Sequence, residues 1–445
     1  MTKSYPNWIA GEPAGGDERR PVLDPYGGES IGEVALASAA DLDRAIEVAR
    51  EAFVVMRRQS GREREEVLRS VSGGIGERGE ELVDRMIAES GKPRRFAEEE
   101  VRRAGSIFGL AAEAAKRFGE EQVPLDVPER AEGAVALARR APLGPVAVTA
   151  SFRSPLGSVA HRVAPALATG NPVVVKAPSR APLTSLILAE IVGRSGAPHG
   201  SLGVLHLASD LAGRLAADER VVTLGEPLAR RPGGGAEMIV HRDAEWEWSL
   251  ERGAVTGFAH AGQMTVGLHT IHVDDVVADD WIPAFVDRVY GLRMGEPDDP
   301  GTVVGPLIDD EAADRVERWL AGARERGARI LTGGDRQGRF VRPAVLTELD
   351  PETEGGLPSR GGPVVVVKRY LDFEEAVEKV GRSGRAIQAG VFTHDVRRIG
   401  HAFRTLEMEA VTVNDIPTFR VRSLRVRSAM RAMTAPRVLI LDTAH

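Results

Sequence analysis

At 445 residues, with 42% hydrophobic and 28% charged side chains, the chain is too long for one typical core and too apolar to be disordered, so two or three domains are expected. A formal net charge of −7 and a pI near 5.9 argue against a nucleic-acid binder, and no apolar run approaches the ~18 residues that span a bilayer. There is no cysteine, hence no disulfide, no thiolate metal site and no thiol nucleophile.

The N-terminal stretch MTKSYPNWIAGEP lacks the apolar core of a secretory signal, and the cytoplasm is the expected compartment. PVLDPYGGESIGEVALAS then alternates short extended segments with turns. ASAADLDRAIEVAREAFVVM reads as a helix opened by Ser38 or Asp41, with Leu42, Ile46, Ala49 and Phe53 at helical spacing. Two further helical stretches follow, stopped by Gly and Pro. EGAVALARRAPLGPVAVTASF reads as a hairpin arm leading into a buried strand.

From there strands and helices take turns. GNPVVVKAPS is a strand, APLTSLILAEIVGRSG a helix, and LGVLHLAS and RVVTLG are strands. This rhythm implies a parallel sheet with helices on both faces. The second half repeats it, with helices at DDWIPAFVDRVYGL and DEAADRVERWLAGARERGA and strands at RILTGG, GPVVVVKRYL and IQAGVFTHD. The glycine cluster RRPGGGAEM marks a domain junction near residue 235.

Some residues invite a sharper reading and are given a plain one. His260, His269 and His272 cluster in sequence, but strand alternation puts the last two on opposite faces, so no metal is assigned. His161 is read as structural, and Trp246 and Trp248 as helix packing. The run holding Arg420, Arg422, Arg425, Arg427 and Arg431 has no interleaved aromatics, and reads as a solvated or salt-bridged face.

With these segments placed, NWIAGEP, the long stretch from APLGPVAV through LTSLILAE, GGGAEMIVHRDA, AHAGQMTVG, VGPLID, GGPVVVVKRY and VTVNDIPTF together resemble the aldehyde dehydrogenase superfamily over nearly the whole chain. The resemblance implies an α/β fold: a Rossmann-like cofactor domain, an α/β catalytic-type domain and a small β arm for oligomer formation. The expected division is 1–119 with 142–235 for the cofactor-type domain, 236–420 for the catalytic-type domain, and 120–141 with 421–445 for the arm and terminal strand.

The family's reaction needs a cysteine thiolate, an oxyanion-holding amide, a glutamate base and a nicotinamide cofactor. The resemblance puts Thr265 at the nucleophile position, Arg153 at the oxyanion-donor position and Arg231 at the general-base position. A neutral hydroxyl is a weak nucleophile without an adjacent base, and arginine cannot accept a proton. Lys176 falls where the family's lysine binds the adenosine ribose, and Ser179 where NAD-preferring members carry an acid, so any preference leans to NADP. Gly225 is the third vestigial cofactor position. The turn and helix that would support the pyrophosphate after VVTLG are shortened by about a dozen residues, roughly three helical turns. Ser359 and Gly361 replace an acid and an aromatic of the nicotinamide end, and a glycine-rich loop after NDIPTF is missing.

These substitutions point to a catalytically silent family member that acts through binding. No cofactor is expected to bind, with NADP or NAD the candidates if binding survives. A homo-oligomer (dimer or tetramer) or a hetero-oligomer with a paralogue is expected, with no nucleic-acid or membrane partner. Arg153 and Arg231 together suggest a small anionic ligand. The alternatives are an NAD(P)-dependent aldehyde dehydrogenase with an atypical site, or a different chemistry on an anionic substrate.

Overall fold

A computed structural model describes residues 3–16, 18–123, 134–223, 235–349, 353, 361–384, 386–416 and 422–442. Strands β1 (Ser4–Tyr5), β2 (Asn7–Ile9) and β3 (Glu12–Ala14) precede a hairpin of β4 (Arg19–Leu23) and β5 (Ser30–Ala35). Helices α1 (Ala39–Met56), α2 (Gly61–Glu77), α3 (Gly79–Ser90) and α4 (Arg94–Ala115) follow. Ser38 is the N-cap of α1: its hydroxyl accepts the Asp41 N–H at 3.2 Å while Asp41 accepts the Ser38 N–H at 2.9 Å. This reciprocal pairing satisfies two otherwise orphaned donors, and Ser60 and Glu63 repeat it on α2. On α1 the buried face runs through Leu42, Ala45, Ile46, Ala49, Ala52 and Met56. Phe53, expected on that face, stands at its margin and is only half-buried, because a 3.6-residue period carries the stripe to its neighbours.

The chain continues through β6 (Glu120–Val123), β7 (Ala134–Pro142), β8 (Val146–Thr149), α5 (Gly157–Thr169), β9 (Val173–Lys176), α6 (Leu183–Arg194), β10 (Leu202–Leu205), α7 (Ser209–Ala217) and β11 (Val222–Thr223). Strands β11, β8, β9 and β10 are parallel neighbours; β2 and β3 extend the sheet antiparallel from β10. The run VVVK is apolar without alternation because both faces of β9 are covered. One core lies against α2 to α6, and a smaller one, with Leu42, Ile46 and Leu215, lies under α1 and α7.

The second half contains β12 (Gly235–Val240), α8 (Trp246–Phe258), β13 (Leu268–Asp274), α9 (Asp275–Tyr290), α10 (Asp310–Glu325), β14 (Arg329–Thr332), β15 (Arg336–Gln337), β16 (Phe340–Val341), β17 (Ala344–Thr347), β18 (Val364–Tyr370), α11 (Phe373–Arg382), β19 (Ala386–Phe392), α12 (Val396–Thr405), β20 (Ala410–Val413), α13 (Arg422–Ala432) and β21 (Thr434–Asp442). Its sheet runs β14-β17-β18-β13-β12-β19-β20, parallel except for the edge strand β14. Trp281 and Phe285 of α9 are fully buried in its main core, with their rings stacked 5.0 Å apart.

A third sheet, β21-β7-β6, is antiparallel, with β21 paired to β7 over nine residues. Within the stretch 421–445 assigned to the arm, α13 behaves differently. Its Val426 and Met430 are buried in the first core, against α4 and α5, because these are its apolar residues at i and i+4. Arg425 of the basic run is ion-paired with Glu409, while Arg420 lies outside the described residues. Among the described residues no helix is long and apolar enough to cross a membrane.

Candidate functional site

The stretch expected to carry the nucleophile leaves α8 at Phe258 in a tight 3-10 turn and enters β13 ten residues later, at Leu268. His260, Ala261 and Gly262 are all left-handed, with φ of 52°, 54° and 70°. For a residue with a Cβ this conformation costs about 1–2 kcal/mol, so something must hold the turn. Gln263 does much of this. Buried, it donates from Nε2 to the carbonyls of His260 and Pro306, both at 3.1 Å, and accepts the Ile308 N–H at 2.9 Å. The His260 N–H donates to Val303 O at 3.0 Å. Gln263 is therefore a clamp between the turn and the 303–308 segment.

Gly262 is fixed by a different contact. A Cβ there would lie 2.0 Å from the carbonyl oxygen of Gly362, on top of the positive φ. Gly262→Ala is expected to cost about 3 kcal/mol and to disorder the turn; urea unfolding measures the loss, and an unchanged midpoint would contradict this placement.

Thr265 stands at the tip, exposed, in the turn before β13. No hydrogen bond to its hydroxyl occurs among the described residues. Nothing there is placed to take its proton, which a hydroxyl nucleophile requires.

Arg153 follows β8, at the carboxyl edge of the first sheet. Its guanidinium lies over the Phe152 ring, 5.2 Å from the centroid, and its Nη2 comes within 3.6 Å of where a Cβ on Gly361 would sit. Gly361 and His260 both precede strands of the second sheet, so Arg153 bridges the cleft between the two sheets. Its backbone is fixed from below: Lys92 Nζ donates to Arg153 O at 2.8 Å. Lys92 is fully buried and paired with Glu100 of α4. Glu100 in turn accepts the N–H groups of Leu156 and Gly157, each at 2.9 Å, so a carboxylate caps the start of α5.

His260 is fully buried beside this group. Burial, then the positive charges of Lys92 and Arg153, hold its imidazole well below the ordinary range, against a weaker opposing influence from the Gly91 carbonyl. It is a neutral ring at physiological pH and cannot serve as an acid there.

On the cofactor side, Lys176 ends β9, and its Nζ donates to Ser179 Oγ at 2.8 Å. Burial and the neighbouring Arg20 lower the proton affinity of this lysine. Arg231, Gly225 and Ser359 lie outside the described residues. Thus Arg153 and His260 are brought together, Thr265 is placed at the surface five residues after His260, and Lys176 and Ser179 form a separate pair.

The other two histidines go to different neighbours. The His269 ring covers Gly235, where a Cβ would meet it at 2.0 Å. His272 is buried and bonded through Nε2 to Glu237 at 2.8 Å. Among the described residues no group of three His, Cys, Asp or Glu could hold a metal ion. Trp246 packs against the second core, but Trp248, expected to pack, is half-exposed and donates from Nε1 to Asn414 O at 2.7 Å, under the Arg252 guanidinium.

Lys92 and Glu100 were not anticipated. The signal was present: in α4 the buried stripe Ala97, Val101, Ala104, Phe108 includes Glu100, an acid where an apolar residue belongs.

Three comparisons bear on this architecture. Residues 12–225 and 222–426 match the sequence profile of the Aldehyde dehydrogenase family. The chain is 30% identical to 3-sulfolactaldehyde dehydrogenase of Priestia aryabhattai, covering 99% of each, and 29% identical to aspartate-semialdehyde dehydrogenase 1 of Pseudomonas canavaninivorans, covering 95% of this chain and 96% of that one. Aldehyde dehydrogenase 21 from Physcomitrella patens, solved in complex with its reaction product succinate, superposes with a TM-score of 0.93 at 31% identity, covering 100% of this chain and 99% of that one. The matched profile, the full-length relatives and the paired α/β sheets agree, and the chain belongs to the aldehyde dehydrogenase family.

Proposed function

We propose that this protein is a member of the family that does not carry out thiol-dependent aldehyde oxidation and acts by binding. The observation that carries this reading is chemical. The chain has no sulfur nucleophile, and the hydroxyl at the corresponding position, on Thr265, is exposed with no base bonded to it among the described residues. A hydroxyl without a base does not attack a carbonyl at a useful rate near neutral pH. Arg153 and Lys92 both stand behind the turn, and the proposed ligand is an anion. The relatives support an anionic ligand: two are named for aldehydes bearing a sulfonate or a carboxylate, and the moss enzyme holds a dicarboxylate product.

The proposed assembly is a homo-oligomer, or a hetero-oligomer with a paralogue. Strand β21 offers an edge on which Val438, Leu439 and Ile440 are each more than half exposed. The cytoplasm is the proposed location. The proposed division remains a cofactor-type unit, a catalytic-type unit and the β arm, with α13 joined to the first core.

A second reading has a specific observation in its favour. The named relatives are dehydrogenases, and on that ground the comparisons favour an NAD(P)-dependent aldehyde dehydrogenase with an atypical site over a silent protein. One experiment separates the two. Purified protein is mixed with NAD or NADP and an aldehyde carrying a carboxylate or a sulfonate, and reduced nicotinamide is followed by absorbance. No accumulation above the protein-free control is expected. Sustained turnover that disappears in Thr265→Ala would establish the second reading and end the first.

A further inference from the structure

Helix α12 buries little of its own apolar surface. Ala402, and Leu406 just past its end, pack into the small core that also holds Phe373 and Val377 of α11. About a quarter-turn away around the helix, Val396 and Phe403 are 77% and 74% exposed. They stand seven residues apart, on one line of the helix, and Ile399 lies between them, partly exposed. Single exposed apolar residues are ordinary, but these three at helical spacing form a stripe. Leu371, two residues before Phe373, is a further exposed apolar side chain where α11 begins.

A basic line runs beside the stripe. Arg397 and Arg404, also seven residues apart, are exposed and make no ion pair among the described residues. Arg398 pairs with Asp395 at the helix N-cap and lies 5.7 Å from the centre of the Phe373 ring. The helix sequence VRRIGHAFRT holds no acid, and Glu407, the next acid along the chain, pairs with neither free arginine. Two unpaired cations thus stand together on a chain of net charge −7. Gly400 separates the two lines, and Arg404 lies back over it, with Nη1 3.3 Å from where a Cβ would sit. A partner lying along Gly400 would meet the apolar stripe on one flank and the arginines on the other.

We propose that α12 docks an acidic amphipathic helix of another protein, whose apolar residues cover Val396, Ile399 and Phe403 and whose carboxylates pair with Arg397 and Arg404. Charge selects this occupant over two others. Two copies of α12 packed on each other would bring their arginines together, and like charges oppose association. An anionic lipid surface is held by clusters of about four to eight cations, whereas α12 offers only Arg397 and Arg404 unpaired among the described residues. An acidic helix satisfies both lines at once. The helix has ten residues, about 15 Å of length, so its face falls short of the ~800 Å² per partner of a stable complex, and reversible association is expected. This surface is separate from the cleft, and its use does not depend on whether the turn at Thr265 has a ligand.

The test uses the full chain, its Phe403→Ser variant and the double variant Arg397→Glu with Arg404→Glu. Each is titrated by fluorescence anisotropy with a labelled helical peptide of about sixteen residues, leucines at i, i+3 and i+7 among glutamates. Two control peptides replace the glutamates by lysines, or the leucines by alanines. Wild type is expected to bind the leucine–glutamate peptide at least about tenfold more tightly than either control, and both variants are expected to lose at least about that factor. Both variants should melt as wild type does, because the replaced side chains are exposed, so a lost affinity reports the surface and not the fold. No binding of the leucine–glutamate peptide, or equal affinity in wild type and Phe403→Ser, overturns the proposal. So does pelleting with phosphatidylserine vesicles that Phe403→Ser abolishes, which would assign the face to lipid. Self-association lost in Phe403→Ser would assign it to a second copy and overturn the proposal as well.

Discussion

Replacing Glu100 by alanine is expected to destabilise the protein by about 3–5 kcal/mol, the usual cost of stranding one member of a buried ion pair. Lys92 and Glu100 are 1% and 7% exposed, so water cannot take over for the lost carboxylate. The same change strips the N–H groups of Leu156 and Gly157 of their acceptor and frays the start of α5. It also releases Lys92, which holds the Arg153 carbonyl, so the loop carrying Arg153 should loosen. Exposed pairs such as Arg62 with Glu66 contribute little, and provide the comparison. Urea unfolding of Glu100→Ala, Arg62→Ala and the double variant Lys92→Met with Glu100→Leu would test the account. The double variant should recover much of the loss, because removing both charges leaves neither one stranded. A loss in Glu100→Ala no larger than that in Arg62→Ala would contradict it.

The second large effect concerns pH and the other buried acid, Glu89. Its carboxylate accepts the Leu183 N–H at 2.5 Å, the Thr184 N–H at 2.9 Å and the Thr184 hydroxyl, and so caps α6. Burial nevertheless outweighs these bonds and pushes the carboxyl up to about 7 from an ordinary 4.5. A group whose native pKa is raised binds its proton more tightly when folded. Its contribution to stability is therefore complete below the unfolded value of 4.5 and disappears as pH rises through about 7. A shift of this size corresponds to about 3 kcal/mol. Relative to Glu89→Gln, whose amide does not titrate, wild type should lose about that much stability between acid and alkaline limits of this window. Urea midpoints measured across it for both proteins give the answer. Parallel pH profiles would remove Glu89 from the account.

Both effects arise from acids the sequence placed among apolar neighbours. Glu89 follows Leu82, Val83 and Met86 on the buried face of α3 as Glu100 follows Ala97 on α4. Periodicity located these faces correctly and could also have flagged the acids as misfits. It could not have supplied their partners, since Thr184 and Leu156 lie 95 and 56 residues away along the chain.

The candidate site divides in the same way. That no cysteine exists anywhere in the chain is a statement about composition, and the sequence settled it; that the nucleophile position falls on Thr265 is what the resemblance implies. The order of strands and helices and their burial patterns were also legible, because side-chain periods of 2 and 3.6 are local properties. The role of Gln263 was not. Its three bonds reach back to His260 and across to Pro306 and Ile308, and only the folded chain brings those groups within reach.

The cation group around Arg20 is the extreme case. Arg20 lies on β4, while Lys176 and Arg180 lie four residues apart at the end of β9, where the resemblance already marks Lys176. Their convergence, and the burial of Arg20 Nε, exist only in the tertiary structure. Residue type and local period fix which chemistry a chain can hold and which faces it buries. Where charges meet, and whether water reaches them, depends on contacts between distant segments, because electrostatic energy is set by distance and local dielectric and not by position along the chain.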